Sequence, residues 1–108
     1  MKQYNVDVSF RSTSTFSGTT ESQGTAIYKA IFKAVTGLDF NPDDMETIRE
    51  NNRERCKGEI TNSAFFKFLN NLHNIDIISI NVNGEYVADW KYQMARALDN
   101  DWGINVTL

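Results

Sequence analysis

The first ten residues alternate between apolar and polar side chains. Every second position is apolar, which is the spacing that sends side chains to one face of a β-strand. The pattern predicts a half-buried strand whose inner residues are Tyr4, Val6, Val8 and Phe10.

The next segment, from Arg11 to Gly24, is rich in Ser, Thr and Gly and has a single aromatic side chain, Phe16. This composition favours a long loop or an irregular extension of the first strand. Because long loops in compact domains often carry function, the segment is a candidate binding loop. Phe16 is either an anchor for a partner pocket or a cover for the core, and the sequence leaves both open.

The first helix is predicted from the turn chemistry and spacing that follow this segment. Thr20–Gln23 has the form of a capping box, and Gly37 is a typical helix end. Between them, apolar residues recur at helical spacing while two lysines mark a solvated face. The apolar set is Ile27, Ile31, Ala34, Val35 and Leu38.

Two more helices are predicted in the middle of the chain. The second begins at Asn41, which can cap it, followed by Pro42, and it ends before Gly58. It has few apolar residues, so most of its surface must face solvent or a partner. The third follows a cap at Thr61 or Asn62. Its apolar face consists of Phe65, Phe68, Leu69 and Leu72.

A hairpin, a helix and a strand are predicted for the remaining residues. Ile75–Val82 is dense in Ile and indicates a buried strand, and Asn83-Gly84 is the dipeptide most typical of a two-residue hairpin turn. Asp89 can cap a fourth helix. The apolar stripe of this helix is Trp90, Met94, Ala97 and Leu98. A closing strand is predicted from the alternation of Trp102, Ile104, Val106 and Leu108.

The predicted order is β-α-α-α-β-β-α-β in a single domain, residues 1–108. It indicates an α+β fold in which helices pack on one face of a small antiparallel sheet. If two helices are insertions, the remaining β-α-β-β-α-β order is that of the split, ferredoxin-like arrangement. The alternative is a simpler sheet in which the first and last strands pair and a helical bundle backs them.

Composition narrows the classes of function. With 11 basic and 14 acidic side chains, the net charge of −3 excludes the strongly basic footprint of most nucleic-acid binders. Twelve Asn with many Ile and Phe indicate an AT-rich genome, such as that of a low-GC bacterium or its phage. A single cysteine, no export leader and no long apolar run predict a cytoplasmic protein without a membrane span.

The residues that most often carry chemistry are scarce. Cys56 and His73 each occur once, so they are the only thiol and imidazole that could form a catalytic pair. Cys56 lies near the C-terminal end of the second predicted helix, where the helix dipole disfavours a thiolate. Catalysis is therefore not expected. One cysteine and one histidine cannot build a structural zinc site. The glycines match no phosphate-binding loop, so no cofactor is predicted.

The remaining candidate is a basic ridge formed by Arg49, Arg53 and Lys57, which are spaced four apart on the second predicted helix. Arginine suits bidentate capture of carboxylate or phosphate. Interleaved glutamates support the plainer interpretation, a solvated helix with intrahelical ion pairs. The predicted partner-binding residues are Arg11, Phe16, Arg49, Arg53 and Lys57.

These observations favour a small non-catalytic protein that binds a protein partner and blocks its surface. An inhibitor of bacterial defence, anti-CRISPR-like or otherwise, encoded by a phage or mobile element is one such role. The alternatives are a module that sequesters a nucleotide with Arg49, Arg53 or Arg11, and an RNA-binding module. In the latter, Tyr4 or Tyr86 would stack bases on an exposed sheet face. A homo-oligomer is left open.

Overall fold

The computed structural model describes residues 1–10, 12–37 and 79–103. Within these ranges the chain forms four strands and two helices. The elements are β1 (Lys2–Phe10), β2 (Ser12–Thr20), α1 (Gln23–Thr36), β3 (Ser79–Val82), β4 (Glu85–Tyr86) and α2 (Trp90–Trp102).

The strands form one antiparallel sheet in the order β2-β1-β3-β4. Each helix follows a hairpin, so the described chain consists of two hairpin–helix units, β1-β2-α1 and β3-β4-α2. The units join where β1 pairs with β3, with Val6 opposite Val82 and Val8 opposite Ile80. The α1 helix packs on β1 and β2, and α2 packs on α1. The predicted α+β class with an antiparallel sheet is confirmed.

The prediction of a long loop or an irregular extension of the first strand is wrong, because the segment forms a separate strand. Ser12–Thr20 forms β2, which pairs with β1 over nine consecutive residue pairs, from Lys2 opposite Thr20 to Phe10 opposite Ser12. The sequence shows no alternation of apolar and polar residues in this strand, because its inner positions hold mostly small side chains. Since β1 leads into a strand, the described part also departs from the ferredoxin-like order, in which a helix comes second.

The α1 helix is buried on most of its circumference, because the sheet covers one side and α2 another. Ser22 is its N-cap and accepts a hydrogen bond from the Thr25 backbone N–H at 3.2 Å. Thr20, at the start of the predicted capping box, instead donates its hydroxyl to the Ser22 carbonyl at 2.7 Å. As predicted, Gly37 ends the helix with a left-handed φ of 74°.

The core lies between α1, α2 and the inner face of the sheet. Val6 and Val8 from β1 belong to the same buried cluster as residues from both helices. Its buried hydrophobic residues are Val6, Val8, Ala26, Ile27, Tyr28, Ala30, Ile31, Phe32, Ile80, Val82, Val87, Met94, Ala97 and Leu98.

The predicted hairpin turn at Asn83-Gly84 is confirmed. Both residues have positive φ, 51° at Asn83 and 84° at Gly84, as a type I′ turn requires. The Asn83 side chain also ties the turn to the neighbouring unit, because its Oδ1 accepts the Asn5 backbone N–H at 2.9 Å. The Asn83 N–H donates to the Asn5 carbonyl at 2.8 Å.

Gly84→Ala is expected to lower the free energy of unfolding by about 1 kcal/mol, because a side chain with a Cβ is strained at this φ. Gly84→Asn is the matched control, since asparagine tolerates the left-handed region better than alanine. Urea unfolding of the three proteins measures the difference. Equal losses in the two variants would show that backbone strain does not set the cost.

The two helices cross at Gly24 with no room for a side chain. A Cβ atom there would overlap the carbonyl oxygen of Gln93 and lie 2.9 Å from the Ala97 Cβ. Beside this crossing, Gln23 Nε2 donates to Gln93 Oε1 at 3.0 Å. The missing Cβ of Gly24 therefore sets how closely α1 and α2 approach.

The second and third predicted helices and residues 104–108 of the predicted closing strand lie outside the described residues. Trp102, expected in that strand, is instead the last residue of α2. Neither helix in the described part is long and apolar enough to cross a membrane.

Candidate functional site

Four residues from the two helices form a hydrogen-bonded cluster, called here the Tyr28 cluster: Thr25, Tyr28, Asp101 and Trp102. Asp101 Oδ2 accepts the Thr25 hydroxyl at 2.6 Å and the Tyr28 hydroxyl at 2.9 Å. The Tyr28 oxygen accepts the indole Nε1–H of Trp102 at 3.0 Å. The cluster thus fastens the start of α1 to the end of α2.

An open cleft of about 420 Å³ adjoins this cluster, with Glu21 and Lys29 in its wall. The volume suits a small ligand. However, the polar atoms of the cluster bind one another, and every buried side-chain nitrogen or oxygen in the described part has a hydrogen-bond partner. The geometry is therefore that of a structural fastening between helices. Within the described ranges no group of three or more His, Cys, Asp or Glu could hold a metal ion.

Burial raises the pKa of the Tyr28 phenol well above its ordinary value of 10.0, since only 1% of this residue is exposed. The negative charge of Asp101 and its hydrogen bond from the phenol raise the pKa further. The hydrogen bonds with Trp102 and Thr25 act in the opposite direction. Tyr28 therefore keeps its proton in the folded protein at a pH where the unfolded chain loses it.

This pKa difference predicts a loss of stability in alkali. The contribution of Tyr28 is fully present below pH 10, and above it the unfolded state releases a proton that the folded state retains. Stability should then fall by about 1.4 kcal/mol per pH unit. Tyr28→Phe removes this contribution, so urea unfolding between pH 8 and pH 12 should give a flatter profile for the variant. Parallel profiles would assign the alkaline loss to other groups.

A second cleft, of about 330 Å³, lies where α1 begins beside α2. Tyr92 and Arg96 line it one helical turn apart, and the Arg96 Nη1–H donates to the Tyr92 hydroxyl at 3.0 Å. Tyr92 is 62% exposed. Tyr92 is thus an exposed aromatic side chain on a helix.

The face of the sheet that turns away from the core is polar throughout, and no described helix packs on it. This surface is called the outer face. By strand register, its residues are Gln3, Asn5, Asp7 and Ser9 from β1, Thr13, Thr15, Ser17 and Thr19 from β2, Ser79 and Asn81 from β3, and Tyr86 from β4.

Hydrogen bonds between β1 and β2 hold several side chains of the outer face in place. Gln3 Nε2 donates to the Ser17 hydroxyl at 2.9 Å, and that hydroxyl donates to Asn5 Oδ1 at 2.6 Å. The Thr19 hydroxyl donates to Gln3 Oε1 at 3.1 Å. At the next outward-facing residue pair of the same two strands, the Thr15 hydroxyl donates to Asp7 Oδ1 at 2.8 Å. The result is a preorganised array of hydroxyl and amide groups.

Tyr86 is the aromatic residue of the outer face. It lies directly opposite Asn81, which shares a strand pairing row with Asp7 and Thr15. Tyr86 is 65% exposed, slightly more than Tyr92 at 62%. Asp7 is the single charged residue in the described set of outer-face positions.

The structure describes one of the five predicted partner-binding residues. Phe16 lies on the inner face of β2, with its ring against Gly18, and packs on the hydrophobic core. Arg11 and the basic ridge of Arg49, Arg53 and Lys57 lie outside the described residues, and so do Cys56 and His73. Whether any of these residues contacts a partner stays a prediction.

Of the two tyrosines predicted to stack bases on an exposed sheet face, one does not lie on that face. Tyr4 shares the inner face with Val6 and packs against the core, because strand residues two apart point the same way. Tyr86 is on the exposed face, as predicted. The extent of the outer face was not predicted, because four of its eleven residues belong to β2, which the sequence does not reveal as a strand.

Comparison with protein-family models, with curated protein sequences and with solved structures finds no match. Function is therefore inferred from the residues themselves.

Proposed function

We propose that this chain is a non-catalytic protein-binding domain that recognises its partner with the outer face of the sheet. The observation that carries the proposal is Tyr86, which is exposed on the same face of the sheet as an array of hydroxyl and amide groups held by hydrogen bonds. A protein partner that covers Tyr86 would be bound by this surface.

The composition of the outer face supports a protein as the partner. Tyrosine with Ser, Thr, Asn and Gln is close to the composition of antibody binding loops, in which tyrosine supplies rigid contact area and small polar groups supply adaptable hydrogen bonds. Tyrosine is also one of the residues most enriched among those that dominate binding energy. The outer face offers both kinds of group on one regular sheet.

Preorganisation supports it further. Fixing a mobile side chain at an interface costs about 0.5 to 1.5 kcal/mol. Gln3, Ser17 and Asn5 are already held by hydrogen bonds within the free protein. A partner therefore meets groups whose positions are largely set, and less of the interaction energy is lost to ordering them.

Charge argues against nucleic acid on this surface. Nucleic-acid binders neutralise phosphate charges with lysine or arginine, whereas the charged side chain among the described outer-face positions is the carboxylate of Asp7. The RNA-binding alternative thus has no support from the outer face. Nucleotide binding by Arg11, Arg49 or Arg53 stays a prediction. A thermal-shift panel tests it, since about 2.7 kcal/mol of stabilisation is expected at 100 times the dissociation constant.

The narrower form of the proposal places the partner in the cytoplasm of a bacterium, where the domain would block a component of a defence system against phage. The composition of the chain supports this form, through its bias towards Asn, Ile and Phe and its single cysteine. Measuring whether expression of the chain in a bacterium restores phage growth against defined defence systems tests it directly.

The general proposal is tested with two exposed tyrosines. The wild-type chain is used to capture a protein from bacterial lysate, and its dissociation constant is then measured with purified components. Tyr86→Ala should weaken binding about 30-fold, the value that corresponds to a central interface residue of about 2 kcal/mol. Tyr92→Ala is the matched control, because Tyr92 is almost equally exposed but belongs to α2.

Loss of affinity in Tyr92→Ala with none in Tyr86→Ala would move the binding surface to the helices. If Tyr86→Ala binds the partner no more weakly than Tyr92→Ala does, the outer face is not the binding surface. Recovery of nucleic acid that nuclease treatment removes, without a stoichiometric protein, would favour the RNA-binding alternative instead.

A further inference from the structure

The outer edge of β2 lacks the features that usually protect an exposed strand. Within the described part of the chain, β2 pairs with β1 alone. Its nine residues, Ser12–Thr20, include no charged side chain and no proline, and the register with β1 is continuous, without a bulge. Natural proteins blunt open edges with charges, prolines or bulges, since a bare edge is a template for another strand.

We propose that a second copy of this chain pairs with the edge of β2. The two β2 strands run antiparallel and are centred on Phe16, so the four described strands of each copy join into one continuous sheet. The partner is thus identical in chemistry to the edge that it covers. This proposal concerns the edge of β2 and does not depend on the partner-binding role of the outer face.

The sequence of β2 is complementary to itself in this register. On the outer face, Thr15 lies opposite the partner's Ser17 and Thr13 lies opposite the partner's Thr19. Hydroxyl pairs of this kind are favourable across strands. On the inner face, Phe16 lies opposite the partner's Phe16, so the part of each ring that its own core leaves exposed becomes covered. No like charges are opposed anywhere along the pair.

The two-fold symmetry of this pairing fixes which faces of the two copies lie on the same side of the joined sheet. The two-fold axis runs perpendicular to the sheet, so the inner faces of both copies stay on the same side. The outer faces also join. From about 3.4 Å per residue and about 4.8 Å between strands, one copy offers roughly 400 Å² of outer face in projection, and the dimer roughly 800 Å². The larger value is comparable with the roughly 800 Å² per partner of a standard protein interface.

Charge placed on the outer face of β2 tests both the edge and the register. Thr15→Lys with Ser17→Lys sets like charges opposite each other twice and should weaken dimerisation about tenfold or more. Thr15→Lys with Ser17→Glu sets opposite charges in the same places and should restore the dimer. The control is Ser79→Lys with Asn81→Lys, which adds two charges to the same face on β3, away from the edge.

Light scattering and sedimentation velocity of the purified full chain, across a wide range of concentration, report the oligomeric state. A wild-type dimer, a monomer in the double-lysine variant of β2 and dimers in the other two support the proposal. A wild-type protein that stays monomeric overturns it, and the edge is then covered by another segment of the chain or by a partner strand. Dimers that persist in the double-lysine variant, or fail to return with the Lys-Glu pair, also overturn it.

Amide hydrogen exchange supplies a test that needs no variant. In the wild-type protein, the N–H groups of β2 that point away from β1 should gain protection from exchange as the protein concentration rises through the dimerisation range. The N–H groups of β3 should show no such gain. Equal exchange of β2 at all concentrations, in a protein that forms dimers, would place the interface elsewhere.

Discussion

Gly24→Ala is expected to lower the free energy of unfolding by about 3 kcal/mol, although alanine is the better helix former. In an unhindered helix the substitution stabilises by up to about 1 kcal/mol. Here the new Cβ would overlap the Gln93 carbonyl oxygen and crowd the Ala97 Cβ, and overpacking of this kind costs about 1 to 3 kcal/mol or more. Whether Gly24→Ala lowers or raises the free energy of unfolding therefore tests how closely the two helices cross.

A second substitution separates the two contacts at this crossing. Ala97→Gly in the Gly24→Ala background removes one of the crowded atoms but leaves the Gln93 carbonyl in place. Because backbone is harder to displace than a side chain, we expect little recovery of stability. Urea unfolding, monitored by tryptophan fluorescence, measures the wild type and both variants. Full recovery would mean that Ala97 alone limits the approach, and a stabilised Gly24→Ala would contradict the crossing itself.

Tyr28→Phe is expected to lower the free energy of unfolding by about 2 kcal/mol. Removing the hydroxyl leaves the Trp102 indole N–H without its acceptor and takes one donor from Asp101. Tyr92→Phe is the matched control, because its hydroxyl is exposed and bonded to Arg96 on the same helix. That variant should differ from the wild type by less than about 0.5 kcal/mol. Similar losses in both would show that the buried hydroxyl has no special importance.

The cluster should also show coupling. Asp101→Ala removes the acceptor of both Thr25 and Tyr28, and we expect it to cost about 2 to 3 kcal/mol. Combined with Tyr28→Phe, the loss should be smaller than the sum of the single losses, since the two residues share one hydrogen bond. Strict additivity would indicate that the two residues act independently.

Local signals in the sequence predicted those parts of the fold that depend on neighbouring residues. The Asn83-Gly84 turn and the helix end at Gly37 each follow from the conformational preferences of one or two residues, and the alternation in β1 is a pattern within a single strand. The apolar stripe of α2 is also a local pattern, because residues three and four apart share a helix face. For such elements the tertiary structure agrees with the local preference.

The strand β2 was missed because its hydrophobic pattern is nearly absent. Of its inner positions only Phe16 carries a large side chain, and the ring of Phe16 lies against Gly18 and packs on the core. Its outer positions are hydroxyl residues. The usable signal was the preference of β-branched threonine for strands, which a count of apolar residues ignores.

The Tyr28 cluster and the Gly24 crossing had no local signal. Tyr28 and Asp101 are 73 residues apart, and their hydrogen bond exists only because two helices cross. In the sequence, Gly24 ends a Ser, Thr and Gly segment and suggests a loop. The same glycine in the first turn of α1 permits close helix packing, which depends on the position of Gln93 and is invisible along the chain.

The pairing of β1 with β3 at the centre of the sheet has a consequence for synthesis on the ribosome. Val6 pairs with Val82, so β1 waits for 76 further residues before its second neighbour exists. At about 5 to 20 residues per second this takes roughly 4 to 15 s. During that interval a hairpin of β1 and β2 would leave the edge of β1 open as well as the edge of β2. The nascent chain is thus most exposed to pairing with other nascent chains before its last quarter has been made.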